Sequence, residues 1–369
     1  MGKRELLLIA IFVAIGAVAY QLTAPPARPG QGFSFSRLFG NVRREIQSNQ
    51  PIASTTSSGA IALTSAVTEL RVTGVQRGVQ ILGEDRHNIE YELRVESSGP
   101  DEATATDYAR RTVLKQDNLG TALALGVAYP RESSQWAALT LHVPSRLTVH
   151  LETGTGARAV HLAALELDRV GGITTAEDIA GSVTGSLSGS ELTIAGAQSV
   201  NLTLATTRAR LSRIAKGLTL STSRGRCEVS ESQGALTMDE TNTELAITAH
   251  NGTIYVSGTG GRVTIDDPRQ RVEVNVRNAP IAVTLRAAVD MTVFGTGERI
   301  RVLLDGPPAV AVDAVTSGGG RIDATDFGLA TEAHDPEQDQ HLAHAFGGGG
   351  AAHVTIRNSR GDIVIGKRK

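Results

Sequence analysis

A single cysteine, Cys227, stands in 369 residues. That excludes an intramolecular disulfide framework, a CxxC redox pair and a thiolate metal cage. Aromatic residues are nearly as scarce, at one Trp, five Tyr and seven Phe, so a globular enzyme with a large mixed core fits poorly. An excess of one charge is missing too. The 36 Lys and Arg nearly cancel the 38 Asp and Glu, leaving a net charge of −2, without the basic surplus of a nucleic-acid-binding protein. No nucleic-acid partner and no cofactor is therefore expected. What the chain does have is glycine, 40 of 369 residues against a usual ~7%. Its hydrophobic content of 40% is too high for a disordered chain. Many short β-branched runs complete the picture of thin, repetitive β-structure.

The N-terminus reads as an address. Lys3 and Arg4 precede an uninterrupted apolar run, Leu6 to Tyr20. At 1.5 Å per residue this run spans about 22 Å, short of the ~30 Å hydrocarbon core. Its length matches the apolar region of a signal peptide, and Ala17-Val18-Ala19 supplies a cleavage site of small residues. An uncleaved anchor extended by Gln21 to Ala24 is the other reading. Both make residues 6–20 a membrane partner of the chain. Basic residues on both sides of the run, with Arg28, Arg37, Arg43 and Arg44 after it, leave orientation unsettled. A β-rich region behind a Pro-rich stem (APPARPGQG, 24–32) favours export to the cell envelope, with release after Ala19 as the alternative. Residues 25–61 read as linker. Phe33, Phe35 and Phe39 with Leu38, Val42 and Ile46 outline either an interfacial helix on anionic lipid or a helix packed on the domain end.

Residues 62–172 carry period-two alternation, as in Ile89-Glu90-Tyr91-Glu92-Leu93-Arg94-Val95, and read as an N-terminal β region with the first coils. From residue 173 to 320 the alternation acquires a long period. Segments begin at Ile173, Glu191, Ala209, Arg226, Glu244, Arg262, Pro280 and Arg299, stepping by about 18 residues. Each holds an apolar pair such as Leu245/Ile247 or Val263/Ile265 and a second pair some nine residues on, such as Ile254/Val256. A short fixed period with two small strands per unit predicts an all-β, single-stranded β-solenoid, parallel β-helix-like, of about 18-residue coils. An antiparallel sandwich of hairpins is the alternative, but among two-residue turns only Asn251-Gly252 suits it. The register puts Cys227 in the inward column of Leu192, Leu245 and Val263, as a buried apolar group. Residues 321–350 break the period as an acidic, His-bearing and Gly-rich loop. Residues 351–369 read as a β-hairpin that caps the last coil.

The apolar N-terminus, the spacing of Val72, Gly74, Gly78, Val79 and Ile81, the repeated short strands, and the closing Gly347–Gly350 and Val354-Thr355-Ile356-Arg357-Asn358-Ser359-Arg360-Gly361-Asp362-Ile363-Val364-Ile365 form a recognisable set. Over roughly residues 65–367 the chain resembles the bacterial β-strand-repeat family named "putative adhesins". The resemblance implies a non-catalytic, solenoid-like protein of the cell envelope and carries over no catalytic or binding residues.

The candidate chemistry is sparse. Arg208, Arg210, Arg213, Lys216, Arg224 and Arg226 gather with no acid among them. Coils 18 residues apart stack Arg208 beside Arg226, then Glu244, then Arg262. Like charges ~5 Å apart need a counter-ion, either Glu244 or a bound anionic envelope polymer. His341 and His344, with Asp335, Glu337 and Asp339 nearby, are weak candidates for a divalent metal, against a plain solvated loop. Asp239-Glu240 and Asp266-Asp267 are the acid pairs to test for a polysaccharide-active enzyme, against turn aspartates that bond their own backbone. Arg360-Gly361-Asp362 reads as a turn rather than as a receptor motif. The expectation is a non-enzymatic, membrane-tethered envelope module that binds an anionic polymer or another protein. A self-assembling membrane-associated scaffold and a polysaccharide-active β-helix enzyme are the alternatives.

Overall fold

Side chains leave a strand alternately on opposite faces, and the chain uses that rule rung after rung. In the strand Ala235–Thr241, Leu236, Met238 and Glu240 point inward while Thr237, Asp239 and Thr241 point out. The computed structural model describes residues 50–131, 134–306, 308–329, 339–348 and 351–368. The chain divides into two units, Met1–Pro51 and Ile52–Lys369. Residues 6–20 and the Phe33 to Ile46 segment lie outside the described residues. Among the described residues no helix is long and apolar enough to cross a membrane.

The second unit is all-β, a single connected sheet of 27 strands with one α-helix among the described residues. Nearly all pairing in its middle is parallel and in register, and it resolves into two ladders. The first ladder stacks Gly217–Ser223, Ala235–Thr241, Ile254–Thr259, Val272–Arg277 and Met291–Thr296. The second stacks Arg208–Ser212, Arg226–Ser230, Glu244–Thr248, Arg262–Asp266, Ile281–Leu285 and Ile300–Leu304. The inward residues of both ladders join one continuous apolar core. Cys227 sits in it between Ala209 and Leu245, 1% exposed. Burial pushes its thiol up to about 12. The short repeat step falls one unit earlier than the sequence segments suggest, because Glu191 pairs with Arg208 and Arg208 with Arg226.

The chain passes from the first ladder to the second through a tight corner built around one residue in the left-handed region. Gly189, Thr206, Arg224, Asn242, Gly260, Asn278, Gly297 and Arg360 hold it on successive rungs, with φ between 52° and 86° at each. The N–H of each donates to a carbonyl of the next rung, as from Arg224 to Thr241 and from Gly260 to Arg277, both at 2.8 Å. This stacks the corners as firmly as the strands. The residue after the left-handed one is held close to the rung below. At Gly261 a Cβ would run into the Thr243 carbonyl oxygen.

Both ends depart from chain order. At the first, the rung Glu69–Thr73 with Gly78–Glu84 lies inside a later rung. Glu69–Thr73 pairs with Ala122–Ala128 on one side and Thr148–Glu152 on the other. Gly78–Glu84 likewise lies between Gln135–Pro144 and Ala157–Val160. Antiparallel strands close this end: Val113–Asn118 on one ladder, Asn88–Ser98 and then Ile52–Ala62 on the other. The helix Glu102–Arg111, N-capped by Asp101, whose carboxylate accepts from the Thr104 N–H at 2.7 Å, packs against these last two strands.

At the other end the sequence suggests a hairpin over residues 351–369, and the structure differs. Ala352–Ser359 and Ile363–Lys367 do not pair with each other. Ala352–Ser359 lies parallel between Met291–Thr296 and Val310–Ser317. Ile363–Lys367 lies parallel between Ile300–Leu304 and Ile322–Asp323. The chain skips a rung after Leu304, and its own C-terminus fills the gap. The physical reason is the corner: Ser359-Arg360-Gly361 turns as Thr259-Gly260-Gly261 does, and such a corner sends its two strands to different ladders. The outermost cover is the antiparallel strand Gln340–Phe346 on Val310–Ser317. It falls within the segment 321–350 that the sequence suggests is loop. Pairing with an open edge, rather than local periodicity, makes it a strand.

Candidate functional site

The outward side of the second ladder carries the charge. The position just before each strand's first inward residue forms a column that reads Glu191, Arg208, Arg226, Glu244, Arg262 along the stack. Beyond these the same column holds Pro280, Arg299, Asp362 and Arg321, by the pairing of Val263, Ile281, Ile300, Ile363 and Ile322. Two residues on, a second outward column holds Arg210, Glu228 and, farther along, Arg301. Rungs follow at about 4.8 Å, so these groups form a continuous stripe.

Of the basic residues picked out by sequence, the structure brings Arg208, Arg210 and Arg226 onto this stripe and places Arg224 on the adjoining corner. Arg213 and Lys216 are not with them. Arg213 is the left-handed residue of the opposite corner, beside Asp178 at 3.9 Å. The strand's run of ~3.3 Å per residue separates it from Arg208. The stripe also supplies part of its own counter-charge. Arg210 bridges Glu191 at 3.2 Å and Glu228 at 3.3 Å; Arg226 bridges Glu228 at 2.8 Å and Glu244 at 3.4 Å.

The metal candidates separate as well. His341 and His344 lie three residues apart on one strand and so face opposite ways. His341 Nε2 lies 2.8 Å from Asp313, itself paired with Arg357. That guanidinium, with His341 adding to it, holds the Asp313 carboxyl below the usual carboxylate range. His344 meets the Phe346 ring edge-on at 4.7 Å. Among the described residues no group of three His, Cys, Asp or Glu is placed to hold a metal.

The first acid pair does not converge, and the second converges on a guanidinium rather than on an open site. Asp239 is exposed while Glu240 is fully buried, because they alternate on one strand. One Glu240 oxygen accepts from the Thr243 N–H at 3.0 Å, and burial pushes the carboxyl up to about 7. Asp266 and Asp267 lie in an ion-pair network. Arg286 reaches Asp267 at 3.3 Å and Asp305 at 3.0 Å, Arg269 reaches Asp267 at 2.6 Å, and Arg368 reaches Asp266 at 3.2 Å.

One feature escaped the sequence reading. A cleft of about 610 Å³ opens on the stripe where Pro280 and Ala282 present short side chains between Arg262 on one side and Arg299 and Arg301 on the other. Arg360 and Asp362, from the C-terminal coil, complete its wall. Sequence alone held one signal for it, the break in the charged column at Pro280.

No protein-family model matches the chain, and no curated protein matches it. Solved structures do. A "putative cell adhesion protein" from Clostridium sporogenes aligns at 10% identity, covering 86% of this chain and 100% of its own, with a TM-score of 0.20. A "putative adhesin" from Parabacteroides distasonis aligns at 14% identity over 65% of this chain and 94% of its own, with a TM-score of 0.29. Another from Parabacteroides merdae aligns at 12% identity over 84% of this chain and 96% of its own, also at 0.29. The solved structures similar to this chain thus include bacterial proteins described as adhesins.

Proposed function

We propose that the chain is an exported β-solenoid of the cell envelope, tethered through residues 6–20, that binds an anionic polymer along its arginine-bearing stripe and catalyses nothing. In this reading each coil contributes one strand to each ladder. The observation that carries it is the recurrence of Arg208, Arg226, Arg262, Arg299 and Arg321 at one outward column position, with only some of the rungs between them acidic. A linear polyanion laid along the stack would meet cations at a regular step and release bound counter-ions.

The separation of Asp239 from Glu240 and the ion-paired state of Asp266 and Asp267 weigh against a hydrolytic centre at those positions. Antiparallel strands at both ends of the first ladder, Val113–Asn118 and Gln340–Phe346, weigh against end-to-end propagation as a scaffold.

The test is retention of the full chain on immobilised polygalacturonate and dextran sulfate as salt is raised. Arg208, Arg210, Arg224 and Arg226 changed together to Ser should elute at markedly lower salt than the parent. Equal elution sinks the proposal. A reporter active only outside the cytoplasm, fused after Lys369, checks export; an inactive reporter on intact protein removes the envelope assignment.

A further inference from the structure

The stripe is not uniform, and a cleft opens where its first column is broken. At Pro280 the first outward column loses its long side chain for a single rung, beside Ala282 in a second column already short at Ala246 and Thr264. The neighbouring rungs carry Arg262, Arg299 and Arg301, all exposed. Arg360, held in the left-handed region at φ 62°, adds a fourth guanidinium from the corner of the inserted C-terminal coil. The close approach that forms this corner depends on Gly361, where a Cβ would run into the Glu298 carbonyl oxygen. Asn358 ties the same corner down, donating to the Glu298 carbonyl at 2.8 Å and the Asp362 carbonyl at 3.1 Å. Asp362 accepts from the Arg321 N–H at 3.1 Å and pairs with Arg299 at 3.5 Å. The wall is therefore anchored by main-chain contacts to two separate stretches of the array.

We propose that this cleft is a binding site for one acidic sugar unit, a uronate or a sulfated saccharide. The proposal rests on the polymer-binding reading above and says where a single residue of such a polymer is gripped. Four arginines face two carboxylates here, Glu298 and Asp362, so the cleft favours an oxyanion. Guanidinium groups bind carboxylate and sulfate through paired N–H donors. The floor of Pro280 and Ala282 is short and apolar, suited to the C–H face of a sugar ring, and the Glu298 carboxylate can accept from a ring hydroxyl. The volume lies within the range of small-ligand sites.

Isothermal titration of the full chain in mild detergent tests this, with trigalacturonate and a sulfated heparin-type disaccharide as probes and maltotriose and inorganic sulfate as controls. At least one acidic saccharide should bind, and R299S/R301S should weaken it tenfold or more while R110S/R111S, on the exposed end of the helix away from the stripe, leaves it within twofold. R299K/R301K, which keeps charge but loses the paired donors, should also weaken it. Matched thermal unfolding of the variants excludes misfolding as the cause. The site is overturned if neither acidic probe binds, if both double variants bind like the parent, or if maltotriose or inorganic sulfate binds as tightly. The two readings fail separately. Long polymer retained with short-oligomer binding insensitive to R299S/R301S removes the cleft alone. Failure of the parent to retain long polymer removes the stripe reading, while loss of short-oligomer binding in R299S/R301S would leave the cleft standing.

Discussion

The N–H of Gly297 donates to the carbonyl of Ser359 at 2.8 Å, and the N–H of Arg360 passes the same bond on to Ser317. Residues from the end of the chain thus occupy a rung between two stretches that precede them by dozens of residues. The inserted strands are structural members of the sheet, and the turn between them is also a wall of the cleft.

Removing it should be severe. Val354, Ile356, Ile363 and Ile365 are each at most 1% exposed, and burial of such side chains contributes about 1.5–3 kcal/mol each. That is comparable with the whole stability of an ordinary domain, ~5–15 kcal/mol. A chain ending at Gly350 should lose its cooperative thermal transition by circular dichroism, or show it many degrees lower. A synthetic peptide of residues 351–369 added in trans should restore part of it. An unchanged transition would contradict the insertion.

Gly361 is fixed by contact, whereas Gly154 has nothing within 4 Å of the position a Cβ would take. Gly361→Ala should destabilise by roughly 2 kcal/mol or more, since the obstructing atoms are main chain. Gly154→Ala should be neutral or stabilise by about 0.4–1 kcal/mol through the unfolded chain. Urea denaturation of the two variants and the parent reads both.

Glu240 makes folding depend on pH in a direction opposite to most carboxylates. Burial raises its pKa to about 7 from the ordinary 4.5, with the Asp239 charge adding to the rise. Its contribution is fully present below about pH 4.5 and is lost as pH rises through about 7, because the folded state holds a proton there that the unfolded chain has released. Relative to E240Q, the parent should lose stability across that window and run parallel above it. His250 acts the other way. Burial lowers its pKa below 6.5, and its Nε2 lies 2.9 Å from the Gly234 carbonyl oxygen. It costs stability as pH falls through 6.5, where the unfolded chain takes up the proton. Denaturation midpoints of parent, E240Q and H250Q between pH 4 and 8 separate the two.

Cys227 should be silent in the folded protein. Its thiol is buried and its pKa pushed up to about 12, so little thiolate is available to react. An aromatic disulfide reagent should label it only as fast as the array opens, with full labelling in denaturant. Rapid labelling under native conditions would place Cys227 outside the core.

Whatever depends on short periods is legible in the order of the residues. Alternation of two assigned Leu245 and Ile247 inward and Glu244 outward, and the step near 18 put Arg208, Arg226, Glu244 and Arg262 in one file and Cys227 among apolar neighbours. Parallel in-register pairing preserves these relations, because strands one period apart meet at equivalent positions. Tertiary structure alone decided which rung lies beside which at the two ends. Val354-Thr355-Ile356 reads as a strand in any slot; only the gap left after Leu304 selects its neighbours, and only their joint burial makes that slot the stable one. The same holds for the site. Arg213 and Arg208 are close in sequence but sit at opposite ends of one strand, Arg213 at the corner, while Arg262, Arg299 and Arg360 are distant in sequence and meet at one cleft. Charge spacing along a chain cannot report where the chain turns. The left-handed corners, set by main-chain bonds between rungs, make that decision.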